Sequence, residues 1–435
     1  MDNKTDTLGS ALAAATCALL GTTVVAPVEA QEAKRWDFDS ALMFYGESNN
    51  RVSDLSATVL ARRDFDDDRV LALDLSIDTL TGASPSGATA MGRAQTFTSP
   101  SGKGTYTTAA GDIPLDDAFR DSRIALGVTW TQPLARLYTV SGGIGLSNEY
   151  DYRHIGINAS LARDFNQRNT TLSAGLAFSR DENNPVGGTP APLSFMGDVG
   201  DLSNRIADGS KDIVDLLVGV TQVINRTTLV RINYSHSLSD GYLTDPYKLL
   251  SVVDPLTGDT VLRIPAAGNG PTGQYRFESR PDSRTKQALY AQLKKYFGGK
   301  VLDVSYRYMT DDWGIDSQTL DGQLHWPVGM SSYLEPHVRY YRQGAADFYR
   351  TSLVAGQPLP QFASADSRLG EFDGVTVGLK YGHKRGSGNE WSLRLEYYQQ
   401  SGTLGDGALI GNQRQFDQFP DLTAVIAQFG YRFGR

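Results

Sequence analysis

Cysteine is nearly absent: the 435 residues hold one, Cys17. A single thiol makes no intrachain disulfide and no thiolate metal site. Long apolar runs are scarce as well. Beyond residue 30 no stretch approaches the roughly 20 apolar residues that a transmembrane helix needs. If the remainder crosses a membrane, it must do so as a closed barrel, in which strands satisfy one another's backbone groups. There is no excess of positive charge. The formal charge of -8 and the sequence pI of about 5.2 argue against nucleic acid as a partner. The chain also lacks G-x-S-x-G, the Walker A loop, the dinucleotide fingerprint and H-E-x-x-H. No enzyme activity and no cofactor are expected from it.

The one extended apolar run lies at the start. Residues 8–25 are apolar, and Val28-Glu29-Ala30 is a small-x-small cleavage pattern. Residues 1–30 are therefore expected to be a cleaved secretory signal, with Gln31 opening the mature chain. Lys4 is offset by Asp2 and Asp6, an unusual start for such a signal. Thr16-Cys17 is a weak lipidation site, because the apolar run continues past it; Cys17 is expected to leave with the signal. Only Gln31 to Arg35 precede the first strand-like run, too few for the folded plug of a large energised transporter.

What the chain has in abundance is alternation. In 300–349, Leu302, Val304, Tyr306 and Tyr308 fall on one face and Asp303, Ser305, Arg307 and Met309 on the other. Leu320, Leu324 and Trp326 oppose Thr319, Asp321, Gln323 and His325; Leu334, Val338 and Tyr340 oppose Glu335, His337, Arg339 and Tyr341. Period two means extended strands. Charge in mid-strand, with aromatics at the ends of the apolar face, is the pattern of a membrane barrel with a polar lumen. Similar runs recur from Trp36 to Phe433, giving about 16 strands of roughly ten residues. The connections alternate in length. The turns at 64–68, 132–136, 164–169, 225–226, 298–299, 327–332 and 384–388 are short. The long segments, 81–122, 181–210, 239–284, 343–372 and 401–421, all fall on the other side. The expected fold is all-β: a transmembrane antiparallel up-and-down barrel over 31–435, with long external loops and short periplasmic turns.

The central block carries a resemblance. YRYMTDDWGID at 306–316, His325-Trp326, EPHVRYYRQGAADFY at 335–349 and FGYRF at 429–433 resemble a family of Gram-negative outer-membrane proteins known mainly as a domain of unknown function, DUF3570. The resemblance spans nearly the whole mature chain. It implies a barrel, with genes often beside a flavin-protein transferase and thioredoxin-like proteins. It brings no agreed activity or ligand, so no catalytic residue is carried over.

Candidate chemistry concentrates on the inward positions. Asp303, Arg307, His325, Glu335, His337 and Arg339 are the candidate selectivity residues, accompanied by Asp215, Arg231, Asp321, Lys380, Arg394 and Glu396. They read either as a charged constriction or as ion pairs that hold the barrel. Asp311, Asp312 and Asp316 beside Gly314 are a weak calcium candidate that lacks the spacing of a dedicated loop; a solvated hairpin is the plainer reading. His154, His325 and His337 would bind a metal only if the fold brought them together. His236, Ser237 and Asp240 lie on one strand end without triad geometry. The expected function is a porin-like outer-membrane channel for a small hydrophilic solute. The alternative is a barrel scaffold that docks a periplasmic or surface partner, redox- or flavin-linked; a barrel enzyme is the least favoured. The expected partners are outer-membrane lipids, the barrel assembly machinery and a periplasmic protein.

Overall fold

The computed structural model describes residues 36–49, 51–116, 119–206, 209–264, 272–386, 388–405, 407–419 and 421–434. The signal segment, with Cys17 and Gln31, lies outside them. Sixteen antiparallel strands close on themselves in sequence order. They are β1 (Trp36–Glu47), β2 (Ser53–Asp64), β3 (Val70–Thr81), β4 (Arg120–Ala135), β5 (Tyr138–Asn148), β6 (Tyr152–Phe165), β7 (Thr170–Asn183) and β8 (Gly209–Asn225). The second half comprises β9 (Thr228–Gly241), β10 (Ser283–Phe297), β11 (Lys300–Asp311), β12 (Asp316–Val328), β13 (Ser332–Gln343), β14 (Glu371–Lys384), β15 (Glu390–Thr403) and β16 (Leu422–Gly434). Closure is made by β1 against β16, with Leu42 opposite Phe429. No edge is left to pair with another chain.

Alternation sets which face each residue occupies. Leu126, Ile144, Leu176, Val218 and Val377 point outward and are 41–60 % exposed. A belt of large apolar side chains running round a whole molecule far exceeds the patches that water tolerates; it requires an apolar medium. Aromatics edge the belt at both ends. At the short-turn end Phe38 stacks on Phe433 at 4.9 Å, Tyr381 lies against Trp391 at 5.4 Å, and the Lys300 ammonium sits 4.2 Å over Trp326. Toward the other end the hydroxyls of Tyr234, Tyr306, Tyr308 and Tyr340 donate to Gln287, Gln318, Asp316 and Asp373. Each ring thus has an apolar body and a satisfied polar tip, as at a membrane interface.

The buried core lies in the loops, not in the barrel. The long connections 82–119, 184–208, 242–282, 344–370 and 404–421 all leave the same end and fold together into a cap. Phe97, Met196, Leu249, Tyr275 and Phe277 form one cluster, and Leu193, Leu250, Val252, Leu353 and Ala363 another. Strand Leu249–Val253 is paired on one side with Tyr275–Phe277 and on the other with Leu353–Val354, so two loops share a small sheet. Loops from distant strands are tied across the mouth: Thr89 N–H donates to Ser251 Oγ at 3.0 Å, and Ala90 N–H to Gln418 Oε1 at 2.9 Å. The cap is seated inside the barrel rim. Tyr242 and Phe419 occupy the space that side chains at the inward positions Gly209 and Gly402 would fill.

Candidate functional site in the barrel lumen

Inward positions divide the lumen into two unlike walls. Between β4 and β7 the ladder aligns small residues: Gly127 with Gly145, Gly143 with Asn158, Ser160 with Gly175. Between β10 and β15 the wall is charged. All six sequence-derived candidates, Asp303, Arg307, His325, Glu335, His337 and Arg339, face inward here, across from Lys294, Tyr290, Val301, Lys380, Gly378 and Thr376 respectively.

The anionic members of this wall are occupied. Asp303 accepts from Gln292 at 2.8 Å and pairs with Lys294 at 3.1 Å. Glu335 pairs with Lys380 at 3.6 Å. His337, 9 % exposed, is held between two carboxylates: Nε2 lies 2.9 Å from Asp321 and Nδ1 2.9 Å from Glu396. Arg394 adds a 3.1 Å bond to Glu396. Glu396 reaches His337 across the intervening strand because that strand carries Gly378 between them; a Cβ there would lie 2.6 Å from Glu396 Cγ. His325 stacks against Tyr333 with centroids 4.5 Å apart.

Two cations are not occupied. Arg307 and Arg339 are exposed to the lumen, and neither makes an ion pair within 4 Å among the described residues. Asp321, opposite Arg339 in the ladder, is taken by His337. Immediately above Arg307 on the same face, Met309 packs into a cluster of Trp313, Ile315, Phe348 and Leu369. That cluster is the underside of the cap. Gln343, at the top of β13, ties the cap down by donating to the Arg368 and Gly370 carbonyls at 2.9 and 2.8 Å. The arginines therefore lie just beneath a roof, in a lumen whose other end carries only short turns.

The cap is held by a buried charge network. Arg280 donates to Asp366 at 2.8 Å and Glu278 at 3.2 Å; Arg368 donates to Asp245 at 2.7 Å and Asp366 at 2.9 Å. Lys248 Nζ donates to Ser84 Oγ at 2.6 Å and the Pro85 carbonyl at 2.7 Å. Burial pushes all three carboxylates up. At Asp366 and Asp245 the charges of Arg368, Lys248 and Arg280 outweigh burial, and hold Asp366 well below the usual carboxylate range and Asp245 below it. At Glu278 burial prevails over Arg280, and its pKa is raised.

The other candidates are not assembled. Asp311 accepts from the Trp313 and Ile315 N–H groups at 3.0 and 2.8 Å and from Arg284 Nε at 2.8 Å. Asp312 accepts from Thr285 N–H at 2.9 Å and Asp316 from Tyr308 at 3.1 Å. The three carboxylates are spent on separate partners and do not converge on one ion. His154 lies 2.6 Å from Asp181 on β6 and β7, far around the barrel from His325 and His337. His236 and Ser237 point to opposite faces of β9. Sequence reasoning missed the cap network, Lys286 and Asp74. Charges embedded in apolar loop segments, as in KLLSVV and FASADSRLG, were the available signal for the network.

A model of the family described as protein of unknown function (DUF3570) matches residues 9–433. No curated protein matches the chain. Solved structures that resemble it include the ferric enterobactin receptor PfeA of Pseudomonas aeruginosa, at 9% identity and TM-score 0.42 over 87% of this chain and 56% of that one. CdiB from Acinetobacter baumannii is 8% identical with TM-score 0.44 over 93% and 61%. A bacterial polysaccharide outer membrane secretin is 9% identical with TM-score 0.41 over 93% and 100%. The chain spans little more than half the length of the enterobactin receptor. These are likenesses of fold alone. The family match, by contrast, runs almost end to end, and the chain belongs to the DUF3570 family of proteins of unknown function.

Proposed function

We propose that the chain is a porin-like channel in the outer membrane of a Gram-negative bacterium, admitting a small hydrophilic solute and gated at its outer mouth by the loop cap. One observation carries this reading: apolar side chains occupy the outside, while Arg307, Arg339 and Asp74 on the inside stand in water below the cap. A barrel of 16 strands is wide enough for an aqueous passage. The long-loop end is assigned to the exterior and the short turns to the periplasm, by the rule of outer-membrane barrels. Outer-membrane lipids would cover the belt, and the assembly machinery would read the terminal strand β16. No catalytic role is proposed.

A second reading draws on the cap itself. A barrel closed outside and bordered by short turns inside offers its lumen to a periplasmic partner, redox- or flavin-linked, as a docking cup. Swelling of liposomes carrying the purified protein separates the two. Entry of a neutral sugar of a few hundred daltons supports the channel; folded, inserted protein without swelling contradicts it and leaves the docking cup.

A further inference from the structure

The charged wall is unbalanced. Its carboxylates are matched one by one: Asp303 by Lys294, Glu335 by Lys380, Asp321 by His337, Glu396 by His337 and Arg394, and Asp311 by Arg284. Lys286, higher on β10, has Asp215 and Asp311 within electrostatic reach. Arg307 and Arg339 are left without an ion pair among the described residues, although Asp321, already bonded to His337, is within electrostatic reach of Arg339. They are close enough to repel one another, and the ladder explains why. Arg307 aligns with Thr319 and then Tyr341, and Arg339 lies one inward position from Tyr341. The two positions are thus two strands and one inward step apart, a span that two long arginine side chains can close with strands about 4.8 Å apart. Tyr290 is directly opposite Arg307. On the far wall Asp74, a lumen-facing carboxylate of β3, sits over Gly127, so the field across the lumen runs from the arginines toward β3.

Two neighbouring guanidiniums with no carboxylate bonded to either, at a wet site beneath an apolar roof, form a fork for an oxyanion with two charges. Their planar donors fit phosphate oxygens two at a time. We infer that Arg307 and Arg339 bind the phosphate group of a small solute in the lumen beneath the cap. The inference rests on the channel reading for its physiological meaning, but the binding itself does not require conduction.

The test uses purified full-length protein in planar bilayers, with inorganic phosphate as probe. Wild type should prefer anions in a potassium chloride gradient, and millimolar phosphate should reduce the chloride current. In the Arg307→Gln/Arg339→Gln double variant the reversal potential should move toward cation preference, and about tenfold more phosphate should be needed for the same block. The Arg307→Lys/Arg339→Lys pair keeps both charges. It should retain anion preference yet lose most of the phosphate block, because an ammonium is a point charge without the fork. Equal phosphate block in wild type and the Gln pair would overturn the inference, as would equal block of wild type by succinate and phosphate. If wild type inserts without conducting, the channel reading fails. The inference is then decided by calorimetric titration of phosphate into the detergent-folded protein: binding lost in the Gln pair sustains it, and no binding to wild type overturns it.

Discussion

Gly378 shows what one missing side chain does for the wall. It separates His337 from Glu396 by a strand while leaving the line between them open. Gly378→Ala should push Glu396 away and strand two buried polar groups, costing about 1–3 kcal/mol; a urea midpoint in detergent micelles reads it, and an unchanged midpoint would show that the bond contributes nothing. The facing rule is tested on two adjacent residues of β2. Val59 points outward and Thr58 into the lumen. Val59→Arg should destabilise the lipid-embedded barrel by about 2–4 kcal/mol and Thr58→Arg far less. Equal losses would refute the assignment. At this scale the inward identity of Arg307, His337 and Arg339 was legible, because period two is a local property. Their partners were not. That His337 bonds Asp321 and Glu396 depends on register between strands that bring together residues 16 and 59 apart in sequence, and on a glycine whose significance appears only once both neighbours are in place.

Among the elements, the cap is where sequence reading stopped. Its loops have neither helical nor strand periodicity over useful lengths, and their core is assembled from short pieces of four connections, so no local pattern announces it. Its charge network makes two predictions. Asp366→Asn leaves Arg280 and Arg368 buried with too little counter-charge, and should loosen the cap by about 3–5 kcal/mol. Protease on intact cells should then cut within 242–282 in the variant much faster than in wild type, while the turn at 385–389 is spared in both. Cutting at that turn without permeabilising the outer membrane would reverse the orientation. The second prediction concerns pH. Asp245 and Asp366 have depressed pKa values, so their stabilisation is present above the ordinary carboxylate range and lost as pH falls through the depressed values. Glu278 is raised, so its contribution is present below its ordinary value and lost as pH rises through the raised one. As pH falls toward the ordinary carboxylate range the cap should therefore tighten through Glu278, then loosen in stronger acid as Asp245 and Asp366 take protons. Hydrogen exchange of the cap amides, corrected for intrinsic rates, measures this. Glu278→Gln should abolish the mild-acid gain, and a cap that loosens steadily from neutral pH downward would contradict the assignment.

For the molecule as a whole, strand number, order and the sorting of connections were legible because a closed up-and-down barrel uses only neighbours in sequence. Each hairpin adds one strand, and the alternation in Arg120–Ala135 or Leu422–Gly434 needs no distant information. What the whole adds is the relation of cap to lumen: a roof whose underside is Met309, Trp313 and Phe348, standing over two uncompensated arginines. The proposed gated channel rests on that relation, and single-channel recording of wild type against Asp366→Asn tests it most directly. Wild type should insert and conduct, and the cap-loosened variant should open more often or to a larger conductance through the same lumen. Insertion of both proteins with no conductance in either would contradict the account.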